Sequence, residues 1–199
     1  MSRTERRTFY FDAPGKENTE VLLKVAKEYA QVNGIKHIVV ASTTGETGVK
    51  ASEVFKGLNV VIVGSVYKAR EFDECNRKRI LNSGAKVLTG IPRLESVERA
   101  FRGRWRPYAL WLFGVEPFSL FVHALSLFGA GTKVCVEIVL MAAEAGLIPL
   151  DNEVVAIAGT VEGADTALLI KPSVASHFSE LEVKEVIAKP RNLFPKKKG

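Results

Sequence analysis

The chain has little cysteine, with Cys75 and Cys135 the only two in 199 residues. There is no C-x-x-C pair and no Cys/His cluster, which argues against both a disulfide framework and a structural zinc site. Histidine is scarce as well. His37, His123 and His177 lie far apart and form no recognisable triad. No Gly-Lys-Ser/Thr follows a glycine-rich loop, and no G-x-G-x-x-G is present, so neither the Walker loop nor the dinucleotide fingerprint applies. The start, Met-Ser-Arg-Thr-Glu-Arg-Arg, has no apolar signal core, and a cytoplasmic location is expected. Long hydrophobic runs are absent but for Tyr108 to Gly131. Glu116-Pro117 interrupts that run near its middle, short of the ~20 residues that a membrane span needs. It reads as two buried pieces, with Phe118, Phe121, Val122, Leu125 and Phe128 at helical spacing.

What is present is an ordinary globular composition, 47% hydrophobic and 25% charged. The net charge is +6 and the sequence pI about 9.3. Part of the excess sits in Lys196-Lys197-Lys198 and in Arg102, Arg104 and Arg106. Aromatics do not interleave with these cations as on a nucleic-acid platform, and a basic surface also suits anionic metabolites. The length fits one domain over residues 1–189, followed by a basic, flexible tail over 190–199.

Strand-like and helix-like segments alternate, which predicts a three-layer αβα sandwich around a mainly parallel sheet of about five strands. Strand patterns fall at Thr8–Phe11, His37–Ala41, Leu58–Val63, Lys86–Leu88, Glu153–Ala158 and Thr166–Ile170. Leu181–Ile187 alternates as an edge strand does, and an unpaired edge invites self-association. Asn18 is placed to cap a helix whose apolar stripe is Val21, Leu22, Val25, Ala26 and Tyr29, with Asn33-Gly34 as its stop. Leu94, Val97 and Phe101 give a further helical stripe. Gly131-Thr132 opens a helix with Val134, Cys135, Ile138, Val139 and Ala142 inward.

Open parallel sheets bind ligands at the carboxyl ends of their strands. Four loops there are rich in Gly, Ser and Thr. The most informative is Ser42-Thr43-Thr44-Gly45-Glu46-Thr47-Gly48, between a buried strand and a helix. Its hydroxyls, its glycines and the helix's free N–H groups form an anion site, with phosphate the usual occupant, unless they are only a turn with a capped helix. The second loop brings Gly64, Ser65 and Tyr67, with Lys68 and Arg70 behind them; Tyr67 suits stacking on an aromatic ring. The third brings Thr89 and Gly90, and the fourth Gly159, Thr160, Gly163 and Asp165. Asp165 fits a ligand contact or a turn cap equally well, and Thr132 fits an N-cap or a ligand contact. A side chain at Gly45 is expected to abolish binding while the fold survives.

Several of these segments carry a family resemblance. Ile38 to Phe55 is similar to the Thr/Ser-rich strand-loop-helix of the pyruvate kinase C-terminal domain, and Asp151 to Gly159 to its late strand and glycine turn. The closer resemblance is to small archaeal proteins described as pyruvate kinase α/β domain-like. It is carried by Phe11-x-x-Pro14-Gly15-x-x-Asn18-Thr19, the Ser/Thr/Gly loop, Gly131 to Glu137, and Ala158-Gly159-Thr160-x-x-Gly163-Ala164-Asp165-Thr166-Ala167. The resemblance implies a free-standing domain without the catalytic barrel, a phosphorylated small-molecule ligand, and flavin mononucleotide (FMN) as the first candidate. In many pyruvate kinases the corresponding loop holds a phosphate of fructose 1,6-bisphosphate. Where the family implies a histidine-rich stretch, this chain has Gly64 to Arg70.

His37 and His123 are expected to be structural, and His177 is the histidine least easily assigned. Asp73, Glu74, Glu137 and Glu144 show no paired arrangement for acid–base work. The expected function is therefore binding of a phosphorylated metabolite, with a flavin-dependent oxidoreductase or another small-molecule enzyme as the alternative. No metal or membrane partner is expected, a nucleic-acid partner is disfavoured, catalytic residues are left unassigned, and a homo-oligomer is compatible. The purified 199-residue chain should form no pyruvate from phosphoenolpyruvate and ADP. Metal-dependent pyruvate formation above a protein-free control would refute this.

Overall fold

A computed structural model describes residues 5–65, 72–90 and 117–193. Its strands are β1 (Phe9–Phe11), β2 (His37–Ala41), β3 (Asn59–Ser65), β4 (Lys86–Gly90), β5 (Val154–Ala158), β6 (Thr166–Lys171) and β7 (Glu182–Pro190). Its helices are α1 (Thr19–Val32), α2 (Glu46–Val54), α3 (Glu74–Asn82), α4 (Pro117–Ser126) and α5 (Ala130–Glu144). The strands form one sheet in the order β1-β7-β6-β5-β2-β3-β4. Only β6 runs against the rest. The α/β sandwich stands, with seven strands in place of about five. β1 and β7, from the two ends of the chain, join the same sheet and complete one side of it.

The central strands read as unbroken apolar runs because both faces are covered. Ile38 and Val40 of β2 face one core with Val60, Ile62, Val155 and Ile157, covered by α1, α2 and α3. Val39 faces the other core with Val61, Val63, Ala156 and Leu168, covered by α5 with Val122 and Leu125 of α4 against it. Each fully buried Leu, Ile or Val contributes roughly 1.5–3 kcal/mol. The α1 stripe is rotated from its expected position. Leu22, Leu23, Ala26 and Ala30 are buried, whereas Val21 is exposed. Phe128, expected in the core, is exposed at the turn between α4 and α5.

Three further expectations are corrected. β7 is no edge strand, because β1 pairs with it in parallel on one side and β6 antiparallel on the other. The argument for self-association through β7 therefore falls; the outer strands are β1 and β4. The chain from Pro190 is not a loose tail from its first residue. Arg191 N–H donates to Phe11 O at 2.8 Å, and Asn192 Nδ2 donates to Asp12 O at 2.7 Å. Asn18 does not cap α1 with its side chain; its amide donates to Ala13 O at 2.9 Å and shapes the turn ahead of the helix. The stripe at Leu94, Val97 and Phe101 lies outside the described residues. Among the described residues no helix is long and apolar enough to cross a membrane.

Tyr29 ties α1 to β7. Its hydroxyl donates to Glu185 Oε2 at 2.7 Å, and Arg6 lies 3.4 Å from the other oxygen of that carboxylate. Burial, followed by this bond, pushes the Tyr29 phenol above its ordinary range. A raised acid contributes stability that is fully present below the unfolded value of about 10 and is lost as pH climbs toward the folded value. Tyr29→Phe should thus lower stability by about 1 kcal/mol at neutral pH. It should also flatten the alkaline loss of stability, as measured by urea denaturation across pH.

Candidate functional site

The chain runs outward through β2, β3 and β4, then returns to lay β5 along the other side of β2. This reversal is a topological switch point, the position at which open α/β sheets form a crevice beyond their strand ends. All five helices but α4 begin at that edge or at its continuation along the sheet. α2 starts there behind β2 on one face, and α5 starts there ahead of β5 on the other. The crevice is thus flanked by helix N-termini, whose unpaired N–H groups and dipoles favour negative charge.

At α2 the sequence builds a tight entry. Gly45 precedes the helix in the left-handed region, with φ 92°. The Ser42 hydroxyl accepts from Gly48 N–H at 3.1 Å, and Ser42 N–H continues the ladder to Val63 O at 2.9 Å. The Thr44 carbonyl accepts from Asp73 N–H at 3.1 Å and from Asn76 Nδ2 at 3.2 Å, which pins the loop to the start of α3. These bonds leave the N–H groups of Glu46 and Thr47, the first two of the helix, without an intrahelical acceptor. Thr47 is 8% exposed. Among the described residues every fully enclosed side-chain oxygen or nitrogen has a partner. Among the described residues the Thr47 hydroxyl has no hydrogen-bond partner, so it reaches the surface at the helix mouth. Thr43 is exposed and Thr44 half-buried beside it.

The glycines of this region serve packing more than ligand approach. A Cβ on Gly45 would lie 2.7 Å from Asn76 Cβ and 2.9 Å from Phe72 Cε1. One on Gly48 would lie 2.6 Å from Ile62 Cγ2, and one on Gly64 would lie 2.7 Å from Phe72 Cδ2. Phe72 therefore fills the notch above the ends of β2 and β3, with the Arg77 guanidinium 5.0 Å over its ring. A side chain at Gly45 therefore strains the fold as well as the loop, since the position combines left-handed backbone with close contacts to Asn76 and Phe72.

Across the crevice, the loop from β5 to β6 is locked onto α1. Thr19 Oγ1 donates to Lys16 O at 2.7 Å and accepts from Ala164 N–H at 2.9 Å. Gly163 has φ 71°, and a Cβ there would lie 2.4 Å from Thr19 Oγ1. Gly159 leaves the room that the Gly163 carbonyl occupies, 2.4 Å from where a Cβ would stand. Asp165 is the turn cap and is fully buried. Its Oδ2 accepts from Thr160 N–H at 3.1 Å and its Oδ1 from the Thr166 hydroxyl at 2.8 Å. Thr132 is not the N-cap of α5. Gly129 holds that position, and the Thr132 hydroxyl, inside the first turn, donates to Phe128 O at 3.2 Å.

The structure thus gathers Thr43, Thr44 and Thr47 at the mouth of α2, with Thr160 on the facing loop. Ser42, Gly45, Gly48, Gly159, Gly163, Asp165 and Thr132 build the walls. Gly64 and Ser65 end β3 in register with Thr89 and Gly90 of β4, one strand further out. Tyr67, Lys68 and Arg70 lie outside the described residues. His37 stands at the opposite edge, near Asn59 Nδ2 at 3.0 Å, and burial holds its pKa below the ordinary value. His177 follows the reversed β6 and is also away from the crevice. Sequence reading missed Phe72, Asn76 and Thr19. The available signal was Phe72-Asp73-x-x-Asn76, an aromatic ahead of an Asp N-cap, with Asp73 Oδ1 accepting from Asn76 N–H at 2.8 Å.

Gly45→Ala should lower stability by about 1–3 kcal/mol, the strain of a left-handed non-glycine residue. Gly48→Ala should cost about as much through overpacking against Ile62. Chemical denaturation checks both; a loss below 0.5 kcal/mol, the level of an ordinary surface substitution, would contradict the packing described.

A family model described as the pyruvate kinase alpha/beta domain matches residues 20–170, which run from α1 into β6 and include the mouth of α2 and the β5–β6 loop. Two crystal structures of pyruvate kinase from Cryptosporidium parvum align with 78% of this chain, at 16% and 15% identity and TM-scores of 0.37 and 0.36. The chain spans 23% and 22% of the length of those enzymes. With the family model covering most of its length, the chain belongs to the pyruvate kinase alpha/beta domain family.

Proposed function

We propose that this chain is a ligand-binding domain that holds a phosphorylated small molecule in the crevice between β2 and β5. The observation that carries the reading is the mouth of α2. Two unspent N–H groups, at Glu46 and Thr47, and the surface-reaching hydroxyl of the otherwise buried Thr47 converge there. A phosphate oxygen accepts from all three, and the helix dipole adds favourable potential. Thr43 and Thr44 supply further hydroxyls at the rim. The resemblance of this loop to the one that holds an activator phosphate in many pyruvate kinases supports the same assignment.

The geometry favours binding over proton transfer. The described rim of the crevice has no histidine, and its buried carboxylate, Asp165, is committed to Thr160 and Thr166. Flavin mononucleotide is the first ligand to test, because the family resemblance implies it and its terminal phosphate suits the α2 mouth.

FMN should bind more tightly than riboflavin, which differs only by the phosphate. One retained charge-assisted bond corresponds to roughly tenfold or more. Thr47→Val should weaken FMN by roughly tenfold and leave riboflavin unchanged. Fluorescence titration reads both, with thermal melting as the control for folding. Equal affinity for FMN and riboflavin would remove the phosphate from the argument. If neither flavin binds, FMN is eliminated, and titration with inorganic phosphate then decides the cradle itself.

A further inference from the structure

Two helices bring their first turns to the crevice from opposite faces of the sheet, and they are not equivalent. At α2 the first turn offers its donors outward. At α5 the protein supplies the negative group itself. Asp165 is fully buried against that turn, where a Cβ on Gly131 would stand 3.2 Å from Asp165 Oδ1 and 2.2 Å from Thr166 Oγ1. Both Asp165 oxygens accept hydrogen bonds, as those of a carboxylate do. Their donors are neutral, and the positive end of α5 lies beside the group.

We propose that Asp165 is the internal counter-ion of α5 and restricts the crevice to ligands that carry a single phosphoryl group. The inference rests on the phosphate cradle at α2. From that cradle, a second phosphoryl group on the same ligand reaches the β5–β6 side after one or two strand spacings of about 4.8 Å. There it meets a buried carboxylate where a vacant helix terminus would have offered N–H groups. Like charges at this range repel, and strongly so where water is excluded. A neutral remainder, whether polyol, sugar or aromatic ring, incurs no such cost. Asp165 touches no ligand in this account and acts through its charge alone.

Isothermal titration of the whole chain with propyl phosphate, propanediol bisphosphate and hexanediol bisphosphate tests the proposal. On the wild-type protein the bisphosphates should bind no more than about twofold tighter than propyl phosphate, the statistical factor for two equivalent ends. In Asp165→Asn, whose fold is checked by thermal melting, at least one bisphosphate should gain roughly tenfold over propyl phosphate. Asp165→Ser replaces Asp165→Asn if the latter does not fold. A tenfold bisphosphate advantage on the wild-type protein overturns the proposal and leaves the cradle standing. An unchanged ratio in a folded Asp165 variant overturns the role of this residue. Failure of propyl phosphate to bind removes the cradle and the proposal together.

Discussion

The parallel pairing of β2 with β5 is the constraint on which the rest depends. It sets Val39 beside Ala156 and Val40 beside Ile157, and it forces the chain to cross from the α2–α3 face to the α4–α5 face between β4 and β5. Two apolar cores result, separated by a sheet whose central strands β2 and β5 are covered on both faces. The same reversal parts the loops after β2 and β5, so one topological event creates both the buried layer and the opening above it.

The crevice shows how similar backbone ends acquire different chemistry. α3 begins at Asp73, whose carboxylate accepts from the backbone of its own first turn. α5 begins beside Asp165. α2 begins at a glycine with no side-chain acceptor for its first two N–H groups. A carboxylate supplied by the chain neutralises a helix end, whereas a glycine leaves that end available to a mobile anion. The hydroxyls are divided in the same way: Ser42, Thr19, Thr132 and Thr166 are consumed in structure, while Thr47 is not.

The layers of the fold were legible because local and global signals agree there. Val39, Val40 and Ile62 sit in runs that suit only a doubly covered strand, and Gly34 and Gly84 end their helices at positive φ. The candidate loops were legible as loops and illegible as parts. Nothing local distinguishes the Thr47 hydroxyl from that of Thr132. The difference lies in Phe128, whose carbonyl takes one of them and lies four residues away along a turn that composition does not specify. Gly45 has a constraint that no local reading contains, since Phe72 and Asn76 occupy the space a side chain would need. β7 was read as an edge because its alternation resembles that of a half-exposed strand, and nothing local shows that β1, itself legible at Thr8–Phe11, pairs along it. The tie of Arg191 to Phe11 joins residues at opposite ends of the chain, which no window along the sequence can contain.

The two thiols lie at opposite extremes of chemical access. Cys75 is exposed in the first turn of α3, whereas Cys135 is fully buried in α5, its Sγ directed to Ala156 O at 3.4 Å. Burial, and after it the nearby Asp165 carboxylate, pushes the Cys135 thiol well above the ordinary range and disfavours the reactive thiolate. An alkylating reagent therefore meets one site on contact and the other only when α5 lifts from the sheet. The ratio of the two labelling rates measures how often the crevice wall opens, which makes the native chain its own clock for that motion.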